Sequence, residues 1–122
     1  MPIKQATTGH PAWIAPTLLN GWSNYGSGYD VSGFYKDQFN RVWLRGLIAN
    51  SGTPVSDSVI FIMPTGYNPQ YRALNTVTIS QGNGRVDVDT SGNVRWLGHV
   101  DNVGGSVVGW LSLSGVSFST KA

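Results

Sequence analysis

The sequence predicts an all-β protein, an antiparallel β-sandwich of jelly-roll-like type built from about eight short strands. Three observations lead there. Glycine occurs 16 times and proline six times in 122 residues, a density that punctuates turns rather than helices. Aromatic and β-branched residues recur from Trp13 onward in short runs separated by Gly, Asn, Asp and Pro, and no stretch sustains the i, i+3, i+4, i+7 apolar stripe of a helix. Charged residues make up only 11% of the chain, with no glutamate, against about 25% in ordinary soluble domains. A charged helical protein is thereby disfavoured, and solubility falls to Ser, Thr, Asn, Gln and Gly.

The length fits about one domain. Residues 1–12 are polar and carry Gly9 and two prolines, so they read as a connector to an upstream shaft, and 13–122 as the sandwich domain. The first strand spans Gly33 to Lys36 and turns through Asp37–Asn40 into Arg41 to Ala49. There Val42, Leu44 and Gly46 point one way and Trp43, Arg45 and Leu47 the other, by the two-residue period of a strand. Val59 to Met63 is a continuous apolar run, expected as a central strand covered on both faces, and the Pro64–Pro69 stretch then forces a turn. Leu74 to Ser80 alternates, with Val77 and Ile79 opposite Thr76 and Thr78. In Gly84 to Asp89, Val86 and Val88 are expected in the core while Arg85, Asp87 and Asp89 face water. Asp89–Asn93 reads as a hairpin turn, because Asp and Asn side chains mimic backbone hydrogen bonds and Gly92 accepts positive φ. The hairpin leads into Val94 to Leu97. Val107 to Leu113 and Val116 to Ser119 close the chain, hinged at Ser114 and Gly115.

Several functions are disfavoured by composition. Cysteine is absent, which removes disulfides, thiolate nucleophiles and Cys-ligated zinc. A net charge of +2 from eight scattered Lys and Arg is no footprint for nucleic acid. No run approaches the roughly 20 apolar residues of a membrane span, and the start lacks the apolar core of a signal peptide. Glycoside hydrolysis needs two carboxylates in different environments; Asp87 and Asp89 are better explained as a solvated strand face. Neither His10 nor His99 sits in a nucleophile–base motif, and there is no GxSxG elbow. The 87–93 stretch resembles a calcium loop without its closing Glu, and a hairpin turn explains it better. No catalytic residue, metal or cofactor is expected.

What remains is a surplus of rings: five Trp, five Tyr and four Phe. Most must be core or interface, yet rings beside planar polar groups are how proteins hold sugars: the ring stacks on an apolar sugar face while the polar groups meet hydroxyls. Two loops have this make-up. Residues 96–106 bring Trp96, His99, Asp101 and Asn102 together with three glycines, and residues 24–30 supply Tyr25, Tyr29 and Asp30.

Five strings occur in one order along residues 20–119: NGWSNYG at 20–26, FYKDQFNRVWLRGLI at 34–48, VIFIMPTGYNPQYR at 59–72, RVDVDTSGNV at 85–94 and WLSLSGVSF at 110–118. As an ordered set they resemble the C-terminal β-sandwich, the receptor-binding head, of bacteriophage tail fibre and tail-tip proteins. The resemblance implies a virion component at the phage tail tip, made in the bacterial cytoplasm. It further implies a homotrimer that joins other tail or baseplate proteins in host adsorption. It assigns Trp22, Tyr35, Pro64, Gly66, Tyr67, Trp110 and Phe118 to the fold and leaves receptor contacts to the loops. The expected function is recognition of a host cell-surface saccharide without altering it, with no nucleic acid and no membrane insertion. Two rival readings are a structural trimerisation or capping module, and a carbohydrate-binding module of a cell-wall hydrolase.

Overall fold

A computed structural model describes residues 11–52, 57–80, 82–99 and 109–120, with His99 by its backbone alone. Within them lie ten strands: β1 (Trp22–Asn24), β2 (Gly33–Lys36), β3 (Arg41–Arg45), β4 (Leu47–Asn50), β5 (Ser58–Ile62), β6 (Ala73–Ile79), β7 (Gly82–Val88), β8 (Asn93–His99), β9 (Leu111–Ser112) and β10 (Ser117–Ser119). No helix is present among the described residues. Seven strands form one sheet in the order β1-β4-β9-β6-β7-β8-β5, and three form a second in the order β10-β3-β2. Every strand pairing is antiparallel. The fold class is as the sequence predicts, but its division is lopsided, seven strands against three.

One strand expected to be continuous changes sheet midway. The Arg41–Ala49 run breaks at Gly46, so that β3 belongs to the small sheet and β4 to the large one. The chain returns beside it the same way: β9 pairs with β4, and β10 with β3. The two crossings are stitched together, since Leu44 N–H donates to Val116 O at 3.0 Å and Leu113 N–H to Gly46 O at 2.8 Å. Gly46 has φ +115°, and a Cβ there would stand 2.5 Å from Ser32 Cα. Only glycine satisfies both the twist and the close approach. The alternation survives the corner, with Val42, Leu44 and Ile48 all buried. The expected hinge at Ser114 and Gly115 is the second crossing, where Gly115 has φ +99°.

β5 corrects an expectation. It lies at the edge of the large sheet rather than at its centre, and Ile62 is 56% exposed. Its apolar run has another cause: the register against β8 shifts between Val59 and Phe61, and a bulge turns consecutive side chains toward one face, so Ile60 and Phe61 are both fully buried. The free edge is covered by an upstream segment, where Leu19 N–H donates to Ile60 O and Asn20 Nδ2 to Val59 O, each at 2.8 Å. Such covering blunts edge-to-edge association.

The core lies between the sheets. Phe34 of β2 stacks on Phe61 of β5 at 6.0 Å between ring centroids, and Trp22 meets Trp96 edge-on at 6.3 Å. Val77, Ile79, Val86 and Val88 all face inward, as the alternation predicts. Both predicted hairpin turns are present. Asp37 Oδ1 accepts the backbone N–H groups of Phe39 and Arg41 between β2 and β3, and Asp89 Oδ1 does the same for Ser91 and Asn93 between β7 and β8. The Pro64–Tyr67 turn closes by Tyr67 N–H to Pro64 O at 3.0 Å; Gly66, third of its four residues, has φ +93°, the left-handed position a type II turn requires. β1 has no counterpart among the strands expected from the sequence. Its three residues are too few to show a period, and pairing with β4 creates it.

Of the expected strand over Val107 to Leu113, only Leu111–Ser112 is strand, while 107 and 108 lie outside the described residues. Most of the expected connector, residues 1–10, lies outside them as well.

Candidate functional site

The loop between β1 and β2 carries two of its exposed tyrosines on a short, tightly anchored arc. Tyr25 N–H donates to Leu47 O at 2.9 Å, and Leu47 N–H donates to Asp30 O at 3.0 Å, so one residue of β4 clamps both ends of the arc. Its tip turns through three successive left-handed residues, Gly26, Ser27 and Gly28, and Tyr29 N–H closes it onto Gly26 O. This geometry presents Tyr25 and Tyr29 as an edge-to-face pair, 5.6 Å between centroids. The rings are 40% and 59% exposed. Together with Leu47 and Trp110 they line a shallow dish of about 130 Å3. Trp110 is half-buried and fixed at its backbone by Ser80 N–H donating to its carbonyl. An aromatic dish of this size suits the apolar face of one sugar ring, with phenol hydroxyls at hand for its hydroxyls.

The two loops chosen from the sequence fare differently. Tyr25, Tyr29 and Asp30 are exposed on one loop, and both tyrosines line the dish. Trp96 is 1% exposed: its ring is core, packed where any Cβ on Gly84 would collide with it, and out of reach of a ligand. The physical reason is the parity of β8, which turns Val94 and Trp96 to the interior. The backbone of His99 ends β8 beside Gly84; Asp101 and Asn102 lie outside the described residues. Trp110 is not among the sequence candidates, because its motif marks it as a fold determinant, and only the pairing around Leu47 brings it beside the tyrosines.

Asp87 is a second correction. Instead of facing water it is fully buried, because two arginines close over it. Arg72 Nε donates to Oδ2, while Arg85 donates from Nε to Oδ1 and from Nη2 to Oδ2, each at 2.8 Å. Burial raises its pKa, and the arginine hydrogen bonds, Arg85 first, outweigh that and hold it below the ordinary 3.8. Asp89 is also occupied: Oδ2 accepts Asn93 Nδ2 at 3.0 Å and Arg95 Nε at 2.9 Å, besides the two backbone donors on Oδ1. Burial again works upward, but the Asn93 side chain, Arg95 and the backbone donors bring the carboxyl down to about 2. A carboxylate with so low a pKa and its acceptor sites filled is a structural anion, not a proton carrier at neutral pH. Among the described residues no group of three His, Cys, Asp or Glu side chains could hold a metal ion, and no helix is long and apolar enough to cross a membrane.

Fold and site together define a two-sheet antiparallel sandwich, with its aspartates at 87 and 89 committed to structure and an aromatic dish on a clamped loop. Among solved structures it is similar to the receptor binding protein (gp15) of Listeria phage PSA, with a TM-score of 0.67 over 91% of this chain and 18% sequence identity. This chain spans 66% of that protein's chain. Comparison with protein-family models gives no match, and comparison with curated protein sequences gives none.

Proposed function

We propose that this chain is the receptor-binding head of a phage tail protein, and that it holds a host cell-surface saccharide without chemically altering it. The observation that carries the reading is the shared fold with a phage receptor binding protein over 91% of the chain. It is supported independently by the ordered tail-fibre-like motifs between residues 20 and 119. The Tyr25–Tyr29–Trp110 dish is the saccharide contact on this reading, with Asp30 of the same tyrosine loop and His99, Asp101 and Asn102 as further candidates. The non-catalytic part of the reading is supported by Asp87 and Asp89, whose carboxylates are held ionised by arginines and by turn donors. Assembly as a homotrimer in the virion, attached to other tail proteins, would cover part of the exposed apolar surface that Phe39, Val31, Ile62 and Leu74 contribute.

The test is adsorption of fluorescently labelled protein to intact bacteria of several strains, before and after removal of wall polysaccharide. Strain-selective binding that disappears with the polysaccharide is the expected result. Binding to no strain, or binding indifferent to polysaccharide removal, would turn the assignment toward a structural capping module.

A further inference from the structure

A groove of about 310 Å3 lies where β10 faces the segment leading into β6. Its chemistry differs from that of the tyrosine dish. Arg41 and Arg72 both line it, together with Gln70, Tyr71, Ser117 and Ser119, and no carboxylate side chain does. In a chain with six acidic and eight basic residues, a concavity with two cations and no anion is a local concentration of one sign of charge.

Both guanidinium groups are oriented in advance. Arg41 is held by two hydroxyls, with Nη2 at 2.8 Å and Nε at 3.2 Å from Ser117 Oγ, and Nη1 at 3.2 Å from Ser119 Oγ. Hydroxyls fix its direction without neutralising its charge. Asp37 acts on Arg41 through space without a side-chain hydrogen bond to its guanidinium, its oxygens accepting Trp43 Nε1 and the backbone N–H groups of Phe39 and Arg41. Arg72 is pinned through Nε to the buried carboxylate of Asp87, and that carboxylate is already matched by Arg85 in a two-point pair. Two arginines therefore share one aspartate. The Nη edge of Arg72 has no hydrogen-bond partner among the described residues, and its side chain is 43% exposed. At the same groove Tyr71 is 76% exposed, and its ring is open to solvent.

From this geometry we infer that the groove is a second saccharide subsite, selective for a sugar carrying an anionic substituent, phosphate or carboxylate. The anion sits against Arg41 and Arg72 and the sugar ring lies on Tyr71. Guanidinium forks match the oxygens of both groups, and anchoring before the ligand arrives lowers the ordering cost of binding. The inference rests on the saccharide-binding reading above and deepens it by naming the class of receptor, an acidic rather than a neutral surface polysaccharide.

The test follows the arginine Nε–Hε resonances of the whole protein by 1H–15N NMR during titration with glucose 1-phosphate, glucuronate and glucose at matched concentrations. Glucose 1-phosphate, glucuronate or both should shift the Arg41 and Arg72 signals, with glucose leaving them in place, and the stronger of the two names the receptor's anion. Added sodium chloride should weaken the effect. Arg41→Gln should reduce the affinity about tenfold, the loss expected for a hydrogen bond to a charged group. Tyr71→Ala, which disturbs no packing, should weaken binding while leaving the melting temperature in place, and so guards against a misfolded Arg41 variant. Equal shifts with glucose, no shifts with either anion, or full affinity in Tyr71→Ala would overturn the proposal. Because no cells are involved, a positive titration with failed bacterial adsorption would remove the receptor reading while leaving the anion subsite. Adsorption without any response to anions would do the reverse.

Discussion

Replacing Asp89 by asparagine isolates what one turn residue contributes to this fold. The carboxylate accepts Ser91 N–H and Asn93 N–H on Oδ1, and Asn93 Nδ2 and Arg95 Nε on Oδ2. An asparagine keeps an acceptor for the two backbone donors but places an NH2 group against the side-chain donors. The magnitude comes from the carboxyl itself. Its fall from 3.8 to about 2 on folding corresponds to roughly 2 kcal/mol, at about 1.4 kcal/mol per pH unit. Since the folded-state pKa is the lower one, this stability is fully present above the unfolded value of about 3.9 and is lost as pH falls through about 2. For a chain of this size the loss should lower the melting temperature by roughly 6 to 10 °C at pH 7. Urea denaturation of parent and Asp89→Asn at pH 7, pH 4 and pH 2 should show curves well separated at neutral pH and converging in acid. A difference below about 0.5 kcal/mol at pH 7, or one that persists unchanged in acid, would refute the reasoning that charge-assisted bonds to Asp89 hold the β7–β8 hairpin.

Gly46→Ala should cost roughly 2 to 5 kcal/mol, combining left-handed strain with a clash against the Ser32 backbone; urea melts or insoluble expression will report it, and wild-type stability would exclude the corner as drawn. Trp22→Ala removes a 4% exposed ring and should cost roughly 3 to 5 kcal/mol, a large part of the 5 to 15 kcal/mol typical of a domain; near-ultraviolet circular dichroism at 25 °C checks whether tertiary packing survives. Tyr29→Ala, on an exposed ring of the dish, should leave the melting temperature almost unmoved but weaken cell adsorption by roughly 1 to 3 kcal/mol, by analogy with anchor residues at interfaces; equal adsorption places the saccharide elsewhere. Light scattering at micromolar concentration should give three times the monomer mass, and a clean monomer would exclude trimerisation by the described domain alone.

Local chemistry alone determines a large part of this protein. The β2–β3 and β7–β8 hairpins, the inward faces of Val77, Ile79, Val86 and Val88, and the Gly66 turn follow from alternation and turn residues, which act over a few positions and need no distant partner. Even Tyr25 and Tyr29 were legible as a patch, since glycines around them forbid a packed element and leave the rings outside. Tertiary structure decided the rest, because it depends on residues far apart in sequence meeting. Asp87 obeys the alternation and still ends buried, because Arg72 arrives from another segment and with Arg85 supplies the hydrogen bonds that a buried carboxylate requires. The apolar run of β5 looks central by composition, yet its own bulge against β8 and the cover from Leu19 and Asn20 allow it at an edge. Gly46 reads as one more strand position until Ser32 is placed against it. Trp110 joins Tyr25 and Tyr29, and Arg41 joins Arg72, only through pairings that bring together chain segments dozens of residues apart; the charge and ring clusters that give this surface its chemistry exist only once the sheets have closed.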